Sequence, residues 1–227
     1  MLTIPVCCCL CHMPLRLPQH GICSACIKLL PRARKICPRC GLPAYNTKQD
    51  CGRCLKQDPP WQRLIFVTGY LAPLRDQVLR LKFARSTARA RMLARLMLLA
   101  WLTARREQYL CQPDLLLTVP LHRWRAWQRG YNQLNTMAKI LSRWTGADWH
   151  SGGIRRIRAG KVQHLQNAAA RRRNLRGAFR LDIDVRGCHI ALFDDVVTTG
   201  STITELSRLI MQAGAASIQI WCLCRTL

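Results

Sequence analysis

Apolar positions along this chain repeat with two different periods, and the period changes where turn residues intervene. Leu64 to Tyr70, Leu115 to Val119, Ile190 to Phe193 and Ser217 to Leu223 are short, mostly apolar runs bounded by Pro, Gly, Asp or Ser. Runs of that length and flanking predict buried strands. Arg180 to Val185 predicts a further strand segment. Elsewhere the spacing is helical. Leu74, Val78, Leu81 and Phe83 outline a short helix, and Ser86 can cap a longer one running to about Ala104. Tyr131, Leu134, Ala138 and Leu141 mark a third face. Ile203, Leu206, Leu209 and Ile210 mark a fourth, with Ser201 or Thr202 as N-cap and Gly214 as stop. Strands that alternate with helices predict an α/β fold with a parallel sheet covered on both faces.

The first sixty residues follow neither period. Four Cys-x-x-Cys pairs punctuate them: Cys8/Cys11, Cys23/Cys26, Cys37/Cys40 and Cys51/Cys54, with gaps of 11, 10 and 10 residues. Each pair can aim two thiolates at one tetrahedral ion, so eight ligands make two four-cysteine sites. The simplest division puts Cys8, Cys11, Cys23 and Cys26 at one site and Cys37, Cys40, Cys51 and Cys54 at the other; an interleaved division satisfies the spacing equally. Zn²⁺ is the common ion of closed four-thiolate sites; an iron–sulfur cluster is the alternative, though its usual spacing is missing. Disulfides are the competing use of so many cysteines, but they belong to oxidising compartments. Residues 1–60 are too short and too Pro-rich to bury much core, so metal binding is expected to supply folding free energy. Asp58-Pro59-Pro60-Trp61 reads as a stiff linker. It divides a double zinc-ribbon module, 1–60, from an α/β domain, 61–227.

Composition adds a partner class. The chain has 227 residues, 36 Lys+Arg against 11 Asp+Glu, and a net charge of +25, which attracts polyanions, nucleic acid first and acidic membrane surface second. Most of the positive charge is Arg, suited to gripping phosphate. The start, MLTIPVCCC, has no basic n-region and no long apolar stretch, so it is not read as a signal peptide. Met97 to Leu102 is too short to span a bilayer. A cytoplasmic setting with reduced thiols is expected. Cys111, Cys188, Cys222 and Cys224 are then read as small apolar residues.

The candidate chemistry concentrates at HIALFDDVVTTGST, His189 to Thr202. Two acids, Asp194 and Asp195, follow an apolar strand, and Thr198, Thr199, Gly200, Ser201 and Thr202 lead into a helix. Open α/β sheets bind ligands at such a strand-to-helix junction. Backbone N–H groups and hydroxyls in the turn suit a phosphate monoester. Ionised carboxylates only accept hydrogen bonds and suit the vicinal hydroxyls of a ribose. A second loop, after Leu115 to Val119, carries Arg123, Arg125, Arg129 and Trp127. Guanidinium forks fit pyrophosphate or a nucleic-acid backbone, and an indole can stack on a base. Between Arg155 and Arg176 lie eight more Lys or Arg, a basic hood or arm.

FDDVVTTGST resembles the phosphoribosyl pyrophosphate (PRPP) loop of type I phosphoribosyltransferases. Together with the Cys pairs, RGYNQ (129–133) and NLRGAF (174–179), it resembles the ComF/GntX family of competence-related proteins along the whole chain. The resemblance implies a type I phosphoribosyltransferase-like sheet behind two zinc ribbons. It also implies a role in handling incoming single-stranded DNA, in competence or in using DNA as a nutrient, beside a DNA-uptake machinery. Asp194 and Asp195 match the ribose-binding acids, and Thr198 to Thr202 match the 5′-phosphate loop. Two functions of different class follow: a DNA- and PRPP-binding protein, or a Mg²⁺-dependent phosphoribosyltransferase acting on a base or related nucleophile.

Overall fold

The computed structural model describes residues 6–31, 35–83, 86–121, 132–157, 175 and 177–227. Two short helices, α1 (Ser24–Lys28) and α2 (Gly52–Gln57), lie among the cysteines. Then come β1 (Arg63–Gly69), α3 (Leu74–Phe83), α4 (Thr87–Gln108) and β2 (Leu115–Thr118). After them follow α5 (Gln133–Thr145), β3 (Asp148–Trp149), β4 (Ile154–Arg156) and β5 (Phe179–Leu181). The chain closes with β6 (His189–Val197), α6 (Ser201–Gln212) and β7 (Ser217–Arg225).

Five strands form one sheet in the order β1-β7-β6-β2-β3, and every pairing in it is parallel. All nine residues of β7 are buried, as expected of a strand covered on both faces. The order reverses between β2 and β6. From β2 the chain crosses by α5 outward to β3; from β6 it crosses by α6 the other way to β7. Right-handed crossovers in opposite directions place α5 and α6 on opposite faces. This is the layout the hydrophobic pattern predicts.

Helix α4 starts as the sequence indicates, with Ser86 Oγ accepting from the Arg89 N–H at 3.3 Å. It runs past Ala104 to Gln108 because nothing breaks it before Tyr109, which turns left-handed at φ 52°. Its apolar stripe, Leu93, Met97 and Trp101 included, is buried, while Arg91 stays in solvent. Trp101 packs against Trp221 of β7, the rings tilted by 45° with 5.2 Å between centroids. Gln219 serves both indoles: its Oε1 accepts from Trp101 Nε1 at 3.2 Å and Trp221 Nε1 at 3.4 Å. Its Nε2 donates to the Cys111 carbonyl at 2.7 Å.

Three expectations need correction. The strand anticipated at Arg180 to Val185 is the three-residue β5, antiparallel to β4 and outside the main sheet. Asp182 ends it by pairing with Arg155 at 2.7 Å and Arg180 at 2.6 Å. The N-cap of α6 is Gly200, at φ 78°, rather than Ser201 or Thr202. Glycine adopts that left-handed geometry without a Cβ clash, which lets the helix begin one residue earlier. Cys222 and Cys224 are buried as small apolar residues, but Cys111 is exposed and Cys188 half-buried. Both lie just outside strands, where a side chain need not face the core.

The cysteine-rich segment leans on this core. Cys8, Ile22 and Leu30 join the main apolar cluster. A Cβ on Gly21 would come within 2.8 Å of Met92 on α4, so the two backbones meet closely there. The segment 58–61 is clamped rather than free. Arg39 donates to Asp50, Asp58 and the carbonyls of Pro59 and Trp61, and Trp61 Nε1 donates back to the Arg39 carbonyl at 2.8 Å. Among the described residues no helix is long and apolar enough to cross a membrane.

Replacing Gln219 by Leu strips two buried indole N–H groups and one carbonyl of their partner. At about 1–3 kcal/mol for each orphaned group, the expected loss is on the order of 3 kcal/mol, read as a lower urea midpoint with unchanged slope.

Candidate functional site

The strand order reverses between β2 and β6, and open α/β sheets bind ligands at the carboxyl ends of the strands at such a switch point. Thr118 of β2 lies opposite Phe193 of β6, and the Val119 N–H donates to the Phe193 carbonyl at 3.0 Å. Two loops leave from here: the one after β2, and the turn after β6.

Asp194 and Asp195 belong to β6 itself, since pairing with β7 continues through Val197 opposite Arg225. Both are half-buried. Oδ1 of Asp194 accepts the Asp195 N–H at 2.8 Å. Oδ2 of Asp195 accepts from Gln133 Nε2 at 3.0 Å. Gln133, the first residue of α5, is 1% exposed, so it supports the acid from within the protein. The preceding Asn132 caps α5, its Oδ1 accepting from the Leu134 N–H at 3.0 Å. Its Nδ2 reaches the Val119 carbonyl at 3.5 Å. The last two residues of RGYNQ therefore fasten the helix to the end of β2 and to Asp195.

Beyond the acids, Thr198 and Thr199 are exposed, and Gly200, Ser201 and Thr202 are half-exposed. The hydroxyls of Thr199 and Ser201 lie 3.0 Å apart. The Ser201 N–H, the first of α6, donates to Thr199 Oγ1 at 3.4 Å, so hydroxyls and a helix amino end gather in one exposed turn, a combination suited to an anion. Behind the turn, Arg225 is 4% exposed and donates to the carbonyls of Val197 at 3.0 Å, Thr198, Thr226 at 3.0 Å and Cys40 at 3.1 Å. A cavity of about 260 Å³ separates the turn from the second cysteine cluster, with Arg53, Trp61, Thr199, Ser201 and Arg208 on its walls.

The eight cysteines sort into Cys8, Cys11, Cys23, Cys26 and Cys37, Cys40, Cys51, Cys54, with every sulfur within 4.8 Å of its partners. This is the simpler of the two divisions that spacing allows. The Cys11–Cys23, Cys40–Cys51 and Cys37–Cys54 sulfurs lie 3.8, 3.7 and 3.9 Å apart. Four sulfurs about 2.3 Å from a tetrahedral centre stand about 3.8 Å from one another, so both clusters fit such an ion. Backbone N–H groups aim at the sulfurs: Cys23 at Cys8 at 3.4 Å, and Cys51 at Cys37 at 3.3 Å. Burial raises the Cys8 thiol, but hydrogen bonds from the backbone of Cys11, Cys23 and Leu10 outweigh it and bring its pKa to about 6. By the same balance Cys51 falls to about 7. Burial and shared thiol hydrogen bonds push Cys26 and Cys54 up.

Arg123, Arg125, Trp127 and Arg129 lie outside the described residues, as does most of the basic hood between Arg155 and Arg176. Gln133 and Arg225 went unassigned in the sequence. The first carried a signal, its place in RGYNQ beside the turn-forming loop. The second carried none, for a single Arg near the end of an apolar strand looks like any strand terminus.

No family model matches the chain. Curated relatives do. The chain is 49% identical to the DNA utilization protein YhgH of Escherichia coli O157:H7 and 48% identical to that of Salmonella typhimurium, over 100% of each chain. It is 36% identical to competence protein F of Haemophilus influenzae, over 95% of both. The chain therefore belongs to the family of these proteins, the ComF/GntX family. Among solved structures, a purine phosphoribosyltransferase from Pyrococcus horikoshii Ot3 is similar at 21% identity. That match covers 70% of this chain and 78% of the other, with a TM-score of 0.35. A hypoxanthine-guanine phosphoribosyl transferase from L. donovani is similar at 17% identity and a TM-score of 0.34, covering 65% and 67%.

Replacing Gln133 by Met removes a buried donor to a carboxylate. Such bonds are worth about 1.5–3 kcal/mol, so a fall of that size in unfolding free energy is expected by chemical denaturation, with any sugar-phosphate affinity falling alongside it.

Proposed function

We propose that this protein handles single-stranded DNA during the uptake or use of extracellular DNA, and that it binds PRPP or a like phosphorylated sugar. The observation that carries the reading is the half-buried Asp194–Asp195 pair beside a hydroxyl-lined turn at the switch point of a parallel sheet. Relatives over the full chain named for DNA utilization, and one named for competence, supply the DNA role. A net charge of +25 supplies the attraction to a polyanion.

In this reading the Thr198 to Thr202 turn receives the 5′-phosphate through helix N–H groups and hydroxyls. Asp194 and Asp195 accept from the ribose hydroxyls, with Gln133 holding Asp195 in place. Arg123, Arg125, Arg129 and Trp127 meet pyrophosphate or the DNA strand. The two cysteine clusters hold structural Zn²⁺ and contribute to folding. Residues 1–60 form the zinc-ribbon module and 61–227 the ligand-binding domain, in a cytoplasmic protein that works beside the uptake machinery.

Phosphoribosyl transfer is the second reading. It is favoured by two adjacent carboxylates at the carboxyl end of the central strand, one of them, Asp195, held by Gln133 at 3.0 Å. Mg²⁺ bound with PRPP would supply neutralising charge to the departing pyrophosphate, and the acids would orient the ribose.

Fluorescence anisotropy with labelled oligo-dT tests the DNA role. Binding should weaken with salt along a log–log slope of about −0.7 per phosphate contacted, and Arg129→Ala or Trp127→Ala should weaken it further. Salt-independent binding, or none, overturns it. Calorimetry with PRPP and Mg²⁺ should show binding lost in the Asp194→Asn/Asp195→Asn double variant, while pyrophosphate release with a panel of bases reads transfer directly. Elemental analysis should return two zinc ions per chain, one for each cluster, and Cys37→Ser should cost one of them.

A further inference from the structure

One side chain joins the cysteine-rich segment to the Thr198 to Thr202 turn. Arg225 ends β7 and is 4% exposed. Its Nη1 reaches the carbonyls of Val197 and Thr226 at 3.0 Å and that of Thr198, and its Nε reaches the Cys40 carbonyl at 3.1 Å. Every one of these acceptors is main chain. A guanidinium kept for charge pairing would meet a carboxylate; this one meets the backbones of two separate segments. Val197 and Thr198 open the turn, and Cys40 is a member of the second cluster. The rigid planar fork fixes both at once, which a Lys ammonium on a flexible stem does not do.

Among the described residues, Arg225 ties the two segments together by side-chain hydrogen bonds to both. On one side the Cys37–Cys40 knuckle is seated firmly: Gly41, at φ +71°, lies where a Cβ would come within 2.9 Å of Phe66 on β1. On the other side a cavity of about 260 Å³ is lined by Cys54 and by the turn residues Thr199 and Ser201. The first cluster is placed differently. Cys8 packs in the main core and Gly21 meets α4, and the sulfur hydrogen bonds of Cys8, Cys11 and Cys23 stay within the cluster and its neighbour Leu10.

We infer that Arg225 is a positioning residue for the phosphate turn, and that through it the second cysteine cluster and the turn bind their ligands cooperatively. The inference rests on the proposed reading of the turn as a phosphate site. A ligand that orders the turn fixes the Val197 and Thr198 carbonyls, hence the guanidinium, hence the backbone of Cys40. A metal ion in the second cluster acts along the same route in reverse. Coupling between two binding equilibria is reciprocal, so sugar phosphate must strengthen metal retention by the factor by which metal strengthens sugar-phosphate binding.

The test uses full-length, zinc-loaded protein. A chromogenic chelator withdraws the metal with and without PRPP, and the freed thiols are alkylated and mapped by mass spectrometry. With PRPP, the chelator concentration that frees half of Cys37, Cys40, Cys51 and Cys54 at equilibrium should rise at least about 5-fold, and that for Cys8, Cys11, Cys23 and Cys26 should not change. In Arg225→Lys the protection should vanish, and PRPP affinity should fall by a similar factor. PRPP that binds the wild type yet protects neither cluster, or both alike, overturns the coupling while leaving the phosphate site standing. Full protection in Arg225→Lys overturns Arg225 as the route. If the wild type binds no PRPP by calorimetry, the site reading fails and the inference fails with it. The wild-type comparison needs no variant, so a poorly folding Arg225→Lys still leaves the coupling decided.

Discussion

Parallel hydrogen bonding of β6 to β2 on one side and to β7 on the other is the constraint from which the site follows. It holds Phe193 level with Thr118 and Trp221, so the acids one and two residues later emerge at the rim of the sheet. Because successive crossovers depart in opposite directions from β2 and β6, the carboxyl ends of these two strands form the switch point of the sheet. The Asp194–Asp195 pair is thus placed by backbone register. Gln133 and Asn132 then adjust it locally, and neither needs to be strong to do so.

Much of this was legible in the residues. The four strands of longest apolar run and the four helices with clear faces lie close to where spacing put them, while spacing named the eight cysteine ligands but left their division into quartets open. Burial in a parallel sheet leaves an unbroken apolar run, and a thiolate knuckle leaves a fixed gap; both are local signals. What escaped was non-local or very short. Strands β3 and β4 have two and three residues, less than any period can reveal. Gln133 meets an acid in another element, and Arg225 meets a cysteine carbonyl from the far end of the chain. No pattern within a window of sequence reports such a pairing. The Gly200 cap was hidden for a different reason: Ser and Thr are the stronger caps by frequency, but here left-handed geometry decided the position.

The cysteine-rich segment and the sheet are less separate than the Asp58 to Trp61 stretch implies. Arg39 draws that stretch against the second cluster, Trp61 is buried, and Cys8 and Ile22 share the core of α4. A segment of this size cannot exclude enough water alone. Here it borrows apolar surface from the larger unit, so the two stabilise each other.

Strand β7 lies between β1 and β6, yet it follows both in the sequence. At ribosomal rates of about 5–20 residues per second, β1 emerges on the order of ten seconds before the neighbour that pairs with it. During that interval an apolar strand offers bare amide edges to any passing chain. The order of synthesis thus leaves β1 without its sheet neighbour until nearly the whole chain has emerged, a delay that the stability of the finished sheet does nothing to shorten.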